Sequence, residues 1–142
     1  MLVEDVMQTD IVTVAVEGTL RDGVAQMLEH RVGSVIVTEN GGPTGIVTET
    51  DALHAGYVTE RPFDDIDIAE VMSEPLITVE PTRTVRSSSQ RMADEQLKKL
   101  PVLDGLDLVG ILTMTDISRH YGDIVREIHE IARPRDSRAD GW

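Results

Sequence analysis

The sequence predicts a mixed α/β (α+β) fold made of two copies of one small unit, each a three-stranded sheet with two helices. Three observations carry that prediction. Shifting the chain by 65 positions lays an ungapped second copy over the first, with Val6-Met7 on Val71-Met72, Thr13-Val14 on Thr78-Val79, Met27 on Met92 and Val37 on Val102. Each copy alternates short β-branched runs with a stretch of helical periodicity. Each also ends on nearly the same strand, Gly45-Ile-Val-Thr-Glu-Thr-Asp51 and Gly110-Ile-Leu-Thr-Met-Thr-Asp116.

The first copy spans residues 1–56. Residues 3–7 predict one helical turn and residues 11–14 a short alternating strand. Thr19 is placed to cap a helix with Asp22 three residues on, and Leu20, Val24, Met27 and Leu28 share one helical face. Gly33 is expected to end that helix. Residues 34–38 are β-branched and predict a strand buried on both sides. Asn40-Gly-Gly-Pro43 predicts a turn, since Asn and Gly accept positive φ cheaply, and residues 44–48 return antiparallel. Thr50 is expected to cap a short helix through Ala55, with Asp51 in its first turn. Residues 57–66 lack periodicity and predict a linker.

The second copy spans residues 67–121. Pro75 and Pro81 bracket a strand over 76–79. A helix from Thr84 towards Leu97 turns Val85, Met92 and Ala93 inward, although Ser87-Ser-Ser89 weakens it because serine hydroxyls compete for the backbone. Residues 100–103, the turn Asp104-Gly105 and residues 108–113 rebuild the hairpin, with Pro101 near a strand start where a missing N–H is tolerated. Beyond Asp116 the stripe Ile117, Tyr121, Ile124, Val125, Ile128 and Ile131 predicts one continuous helix up to Pro134, with Gly122 its weak point. Residues 122–142 thus form a C-terminal helix and tail, polar over 135–142.

Composition narrows the function classes. A chain of 142 residues is expected to build one shared core. With no cysteine there is neither a disulfide nor a thiolate metal site. The 13 basic and 26 acidic side chains leave a net charge of −13, which with one Phe, two Tyr and one Trp argues against nucleic acid and anionic membrane as partners. No apolar run approaches the roughly 20 residues that span a bilayer and no leader pattern opens the chain, so a cytoplasmic protein is expected. Eleven of the 13 basic residues are arginine, and Lys98 and Lys99 are the only lysines. Such a surface is similar to those of salt-loving archaea, since at about 1 M salt the Debye length falls to roughly 3 Å and carboxylates stop repelling one another. His30, His54, His120 and His129 are not spaced as a ligand set, and Met7, Met27, Met72 and Met92 fall at packing positions. No nucleophile-base pair and no glycine-rich phosphate loop is present, so neither an enzyme nor a catalytic cofactor is expected.

The element order, the paired Val-Met steps, the Thr-Val strands, Leu97-Lys-Lys-Leu-Pro-Val-Leu-Asp104 and both Gly-to-Asp stretches together resemble the CBS domain family, named for cystathionine β-synthase, over residues 2–121. Two such units form a Bateman module. The resemblance implies two tandem CBS units related by a pseudo-twofold axis, and a regulatory module that binds an adenosyl ligand, of AMP, ADP or ATP type or S-adenosylmethionine. It also implies a homodimer paired through helical faces and an effector protein as the regulated partner. Ligand clefts are expected between the units. In one, Asp116, Thr113 and Thr115 face Ile11, Val12, Thr13, Val32 and Gly33. In the other, Asp51, Thr48 and Thr50 face Ile77, Thr78, Leu97 and Lys98, with Lys99 and Pro101 alongside. One departure separates them: the first copy has Gly33-Ser-Val-Ile-Val37 where the second has Lys98-Lys-Leu-Pro-Val102. The Asp51 side, facing the lysines, is therefore expected to be preferred.

The chemistry of these residues fits such a ligand. One carboxylate matches the spacing of a ribose diol, and charge-assisted hydrogen bonds are worth roughly 1.5–3 kcal/mol each. Threonine hydroxyls and a helix N-terminus can seat an anion. A Thr-x-Thr-Asp is also an ordinary helix cap, worth about 0.3–1 kcal/mol through the macrodipole, and a lysine pair is also an ordinary helix end. Duplication at equivalent positions favours the ligand reading. The alternative is a ligand-free scaffold that docks a partner through its acidic surface and the apolar stripe of residues 117–131.

Overall fold

Two β-hairpins of identical register form the frame. The structure, a computed structural model, describes residues 1–74 and 76–132. Pro75, Pro134 and the polar tail over 135–142 lie outside the described residues. The chain runs through α1 (Val3–Val6), β1 (Thr13–Ala15), α2 (Leu20–His30), β2 (Ser34–Glu39), β3 (Gly42–Thr48) and α3 (Glu49–Thr59). Two 3-10 turns, Phe63–Asp65 and Ile68–Glu70, lead to α4 (Val85–Asp94), β4 (Lys99–Asp104), β5 (Asp107–Thr113), α5 (Met114–Arg119) and α6 (Tyr121–Ala132). In β2-β3 Ser34 pairs with Thr48, and in β4-β5 Lys99 pairs with Thr113; both ladders slip at the same place, Val37/Thr38 and Val102/Leu103. The first hairpin turns through Asn40 (φ 53°) and Gly41 (φ 82°), two successive left-handed residues as a type I′ turn demands.

The units differ in their first strand. β1 lies parallel to β2, and Val16 extends the pairing by donating its N–H to Thr38 O at 2.8 Å. The residue 65 positions beyond Val16 is Pro81, which has no N–H to give Leu103, the counterpart of Thr38. The expected strand over 76–79 accordingly shrinks to a single bridge, Val79 to Val102, and the second sheet has two strands instead of three. A cleft of about 710 Å³ opens there between residues 78–83, α4 and the hairpin tip Leu103-Asp104-Gly105.

Helix ends correct several other expectations. Arg31, at φ 55°, closes α2 two residues before Gly33, and Leu28 is 74% exposed instead of facing inward. Thr48, not Thr50, caps α3: its hydroxyl accepts the Asp51 N–H at 3.2 Å while Asp51 Oδ2 accepts the Thr48 N–H at 2.9 Å. That helix runs to Thr59, so it consumes the start of the expected linker. In α4 the hydroxyls of Ser87 and Ser88 donate back to Thr84 O at 3.1 and 2.9 Å; the helix forms nonetheless, stops at Asp94 and leaves Ala93 exposed. The long helix beyond Asp116 breaks at His120, whose N–H is shared between Asp116 O and Ile117 O, two residues ahead of Gly122.

The apolar interior is two clusters, not one, and each draws on both halves of the sequence. Val3 and Val6 of α1 pack with Val79, Val85, Met92, Leu100, Val102, Leu112 and Ile117 of the second copy. Ile66 and Ile68 pack with Leu20, Met27, Val35, Val37 and Val47 of the first. The backbone repeats this exchange: Leu2 bridges Thr84 and Asp67 bridges Thr19, while Gln8 bridges Ile111 and Ser73 bridges Ile46. Shifting either member of a pair by 65 yields the other pair with the halves swapped, which is a pseudo-twofold relation.

Candidate functional site

A cleft of about 250 Å³ lies where the exchanged segments meet, walled by Ile11, Val12, Val32, Gly33 and Ile36 from the first half and Ile111, Thr113 and Thr115 from the second. Gln8, Asp10, Arg31, Ser34 and Lys99 complete it. Ile36, the centre of β2, and Ile111 of β5 are buried outside both core clusters, because their faces of the hairpins look across at each other here. The structure thus brings together six of the residues expected around Asp116, namely Ile11, Val12, Val32, Gly33, Thr113 and Thr115. Thr13 is exposed on β1 and does not line the cleft.

Asp116 itself sits behind the wall, 2% exposed. The Thr113 hydroxyl donates to its Oδ2 at 2.7 Å, the Gln8 amide donates to its Oδ1 at 2.9 Å, and Arg119 stands 3.8 Å from Oδ1. Asp51 makes the equivalent helix cap but is partly exposed, and it lines a different cleft of about 280 Å³ with His54, Arg61, Ile66 and Glu70. Asp22 caps α2 in the same geometry, so the cap alone does not mark a ligand site.

The residues expected opposite Asp51 lie in several settings. Thr78 lines the 710 Å³ cleft, Ile77 and Leu97 pack against the second core, and Pro101 is buried in β4, where its carbonyl accepts the Val79 N–H at 3.0 Å. Lys98 is exposed and Thr50 lies exposed in the first turn of α3. Lys99 lines the Asp116-side cleft. Its Nζ and Glu49 Oε1 each lie 3.4 Å from the point a Cβ on Gly33 would occupy, so glycine leaves room for both groups. Burial pushes the Lys99 ammonium below the usual lysine range, and the Glu49 carboxylate opposes that shift.

The sequence reading missed Gln8, Asp10, Arg31, Ser34, Ile36 and Ile111. A signal existed for two of them. Gln8 directly follows the repeated Val-Met step, and Ser34 is the counterpart of Lys99 at the 65-residue shift. In chemical terms the cleft offers aliphatic walls for a flat ring, a half-buried ammonium for an anion and a hydroxyl at Thr115. Among the described residues no cluster of three or more His, Cys, Asp or Glu could hold a metal ion, and no helix is long and apolar enough to cross a membrane.

Comparison with known proteins agrees with this architecture. The family model described as the CBS domain matches twice, over residues 3–57 and 68–129. The CBS domain-containing protein YhcV of Bacillus subtilis is 33% identical over 117 residues, 82% of either chain. Protein MK0525 of Methanopyrus kandleri is 34% identical over 130 residues, which are 90% of this chain and 66% of that one. Among solved structures, the CBS domain pair of protein MJ0100, in complex with 5′-methylthioadenosine and S-adenosyl-L-methionine, superposes with a TM-score of 0.79 at 24% identity, covering 87% of this chain and 98% of that one. With two matched units that together span most of its length, the chain belongs to the CBS domain family and carries a CBS domain pair.

Proposed function

We propose that this CBS pair is a non-catalytic regulatory module that senses an adenosyl ligand in the Asp116-side cleft. The observation that carries the reading is the meeting there of Ile11, Val12, Val32 and Gly33 with Thr113 and Thr115 around the Lys99 ammonium. Aliphatic walls suit a purine, Asp116 suits a ribose and Lys99 suits a phosphate, so an adenine nucleotide fits better than the sulfonium of S-adenosylmethionine. That a pair of the same fold was solved with two adenosyl compounds supports the class of ligand. Of the two lysines that favoured the Asp51 side on sequence grounds, Lys99 lines the Asp116-side cleft, which supports the choice of that cleft. A thermal-shift series with AMP, ATP and S-adenosylmethionine tests the reading, because a ligand that binds the folded state raises its melting point by mass action. No shift with any of them, or a nucleotide shift unchanged by Lys99→Met, would sink it.

A partner-docking role is the second reading, supported by Tyr121 and Ile128 of α6, which remain 53% and 40% exposed. It combines with a homodimer, a cytoplasmic setting and an effector protein as the regulated partner. Deleting residues 122–142 is expected to change sedimentation; an unchanged profile counts against that role.

A further inference from the structure

The Asp116 carboxylate is held by groups of two kinds. Thr113 belongs to the same helix cap and travels with it, donating from its hydroxyl and, at 3.3 Å, from its N–H. Gln8 comes from 108 positions away and donates from its side-chain amide at 2.9 Å. The backbone of Gln8 is fixed, because its N–H and carbonyl both pair with Ile111 at 2.9 Å. Only the side chain is free to turn; its amide reaches Asp116, and Gln8 is among the residues that line the cleft. Among the described residues no side-chain amide donates to Asp51 in this way. The counterpart of Gln8 is Ser73, whose backbone pairs with Ile46 in the same manner but whose side chain is too short to span an equivalent distance.

We infer that Gln8 is a specificity-determining residue of this cleft: its amide occupies Asp116 until a ligand presents a vicinal diol whose two hydroxyls replace it. The inference rests on the adenosyl reading of the cleft. A ribonucleotide gives the carboxylate two O–H donors in exchange for one N–H, and the exchange is favourable. A 2′-deoxynucleotide offers one and gains nothing, so it binds with Gln8 left in place. Gln8 therefore weakens ribonucleotide binding by the cost of breaking its own hydrogen bond and leaves deoxynucleotide binding untouched.

The test is calorimetric titration of the full chain with AMP and with 2′-deoxy-AMP, in an Asp51→Asn background so that the other carboxylate does not contribute. Gln8→Met, which keeps length and packing but has no donor, and Gln8→Ala are both expected to tighten AMP about three- to tenfold and to leave 2′-deoxy-AMP within about twofold. Melting curves of each variant establish that it is folded. Equal tightening for both nucleotides would mean that Gln8 merely takes up space, and equal weakening that it is a ligand contact; either result overturns the inference while the adenosyl reading stands. If neither the parent nor the Gln8 variants bind AMP, the adenosyl reading falls and the inference with it.

Discussion

The sulfur of Met7 lies 2.5 Å from the point a Cβ on Gly110 would occupy, and Met72 stands in the same relation to Gly45 at 2.7 Å. The two repeated motifs, Val-Met and the Gly-to-Asp strand, are therefore the two sides of one contact, made twice across the pseudo-twofold. Gly110→Ala and Gly45→Ala are each expected to destabilise the fold by about 1–3 kcal/mol, because a methyl there must displace a packed side chain. Gly122→Ala, on α6 with nothing within 4 Å, is expected to be neutral or to stabilise by up to about 1 kcal/mol. Denaturant titration of the three variants checks the order.

Asp116 and Asp51 should respond differently to the same substitution. Asp116→Ala strips a buried cap and leaves the Gln8 amide without its acceptor, a loss of about 2–4 kcal/mol. Asp51→Ala, at a partly exposed cap, is expected to cost about 1 kcal/mol. A larger loss at Asp51 would contradict the burial seen here.

Lys99 gives a pH signature. Its pKa is lowered by burial, so the unfolded chain holds the proton more tightly than the folded one. Stability then rises with pH across the alkaline window between the folded value and the ordinary lysine value, while at neutral pH the charged form bears the full desolvation cost. Lys99→Met is expected to raise the neutral-pH melting point, to remove the alkaline rise and to weaken a phosphate-bearing ligand at least about tenfold. A variant that melts lower than the parent at neutral pH would show that Glu49 outweighs burial.

Acidic excess sets the response to salt. Ion pairs among the described residues engage few of the 26 acidic side chains, and most of those pairs are exposed. Relief of repulsion should outweigh their weakening between about 0.1 and 1 M KCl, for a gain of at least about 1 kcal/mol, read as roughly 3–6 °C in melting temperature. A melting point that falls with salt would refute the salt-adapted reading.

Much of the fold was legible because its signals are local. The hairpins follow from Asn40-Gly41 and Asp104-Gly105 and the α2 cap from Thr19-x-x-Asp22, whereas the same spacing places the α3 cap at Thr48 rather than at the expected Thr50. The loss of a strand before Pro81 needed the ladder, since a proline is harmful only where its N–H would have been used. The side taken by the lysines needed the sheet. Lys98 precedes β4 and, as Gly33 does for Glu49, offers its carbonyl to Met114 N–H at 3.0 Å, whereas Lys99 begins the strand and turns into the cleft. Adjacent residues of an extended chain point opposite ways, so the pair could not serve one site together. Periodicity shows that Val3, Val6, Ile66 and Ile68 are apolar and buried, but not in which of two cores.

That exchange bears on how the molecule assembles. Each core is completed by a segment from the other half of the chain, so the contacts that close it are long in sequence and neither half is a self-sufficient folding unit. Cutting the chain between residues 60 and 61 should yield two fragments that are largely unstructured alone and regain a cooperative transition when mixed. A solitary copy would find the same partner surface only on a second molecule, as in a domain-swapped dimer, and the linker turns that concentration-dependent encounter into an intramolecular one.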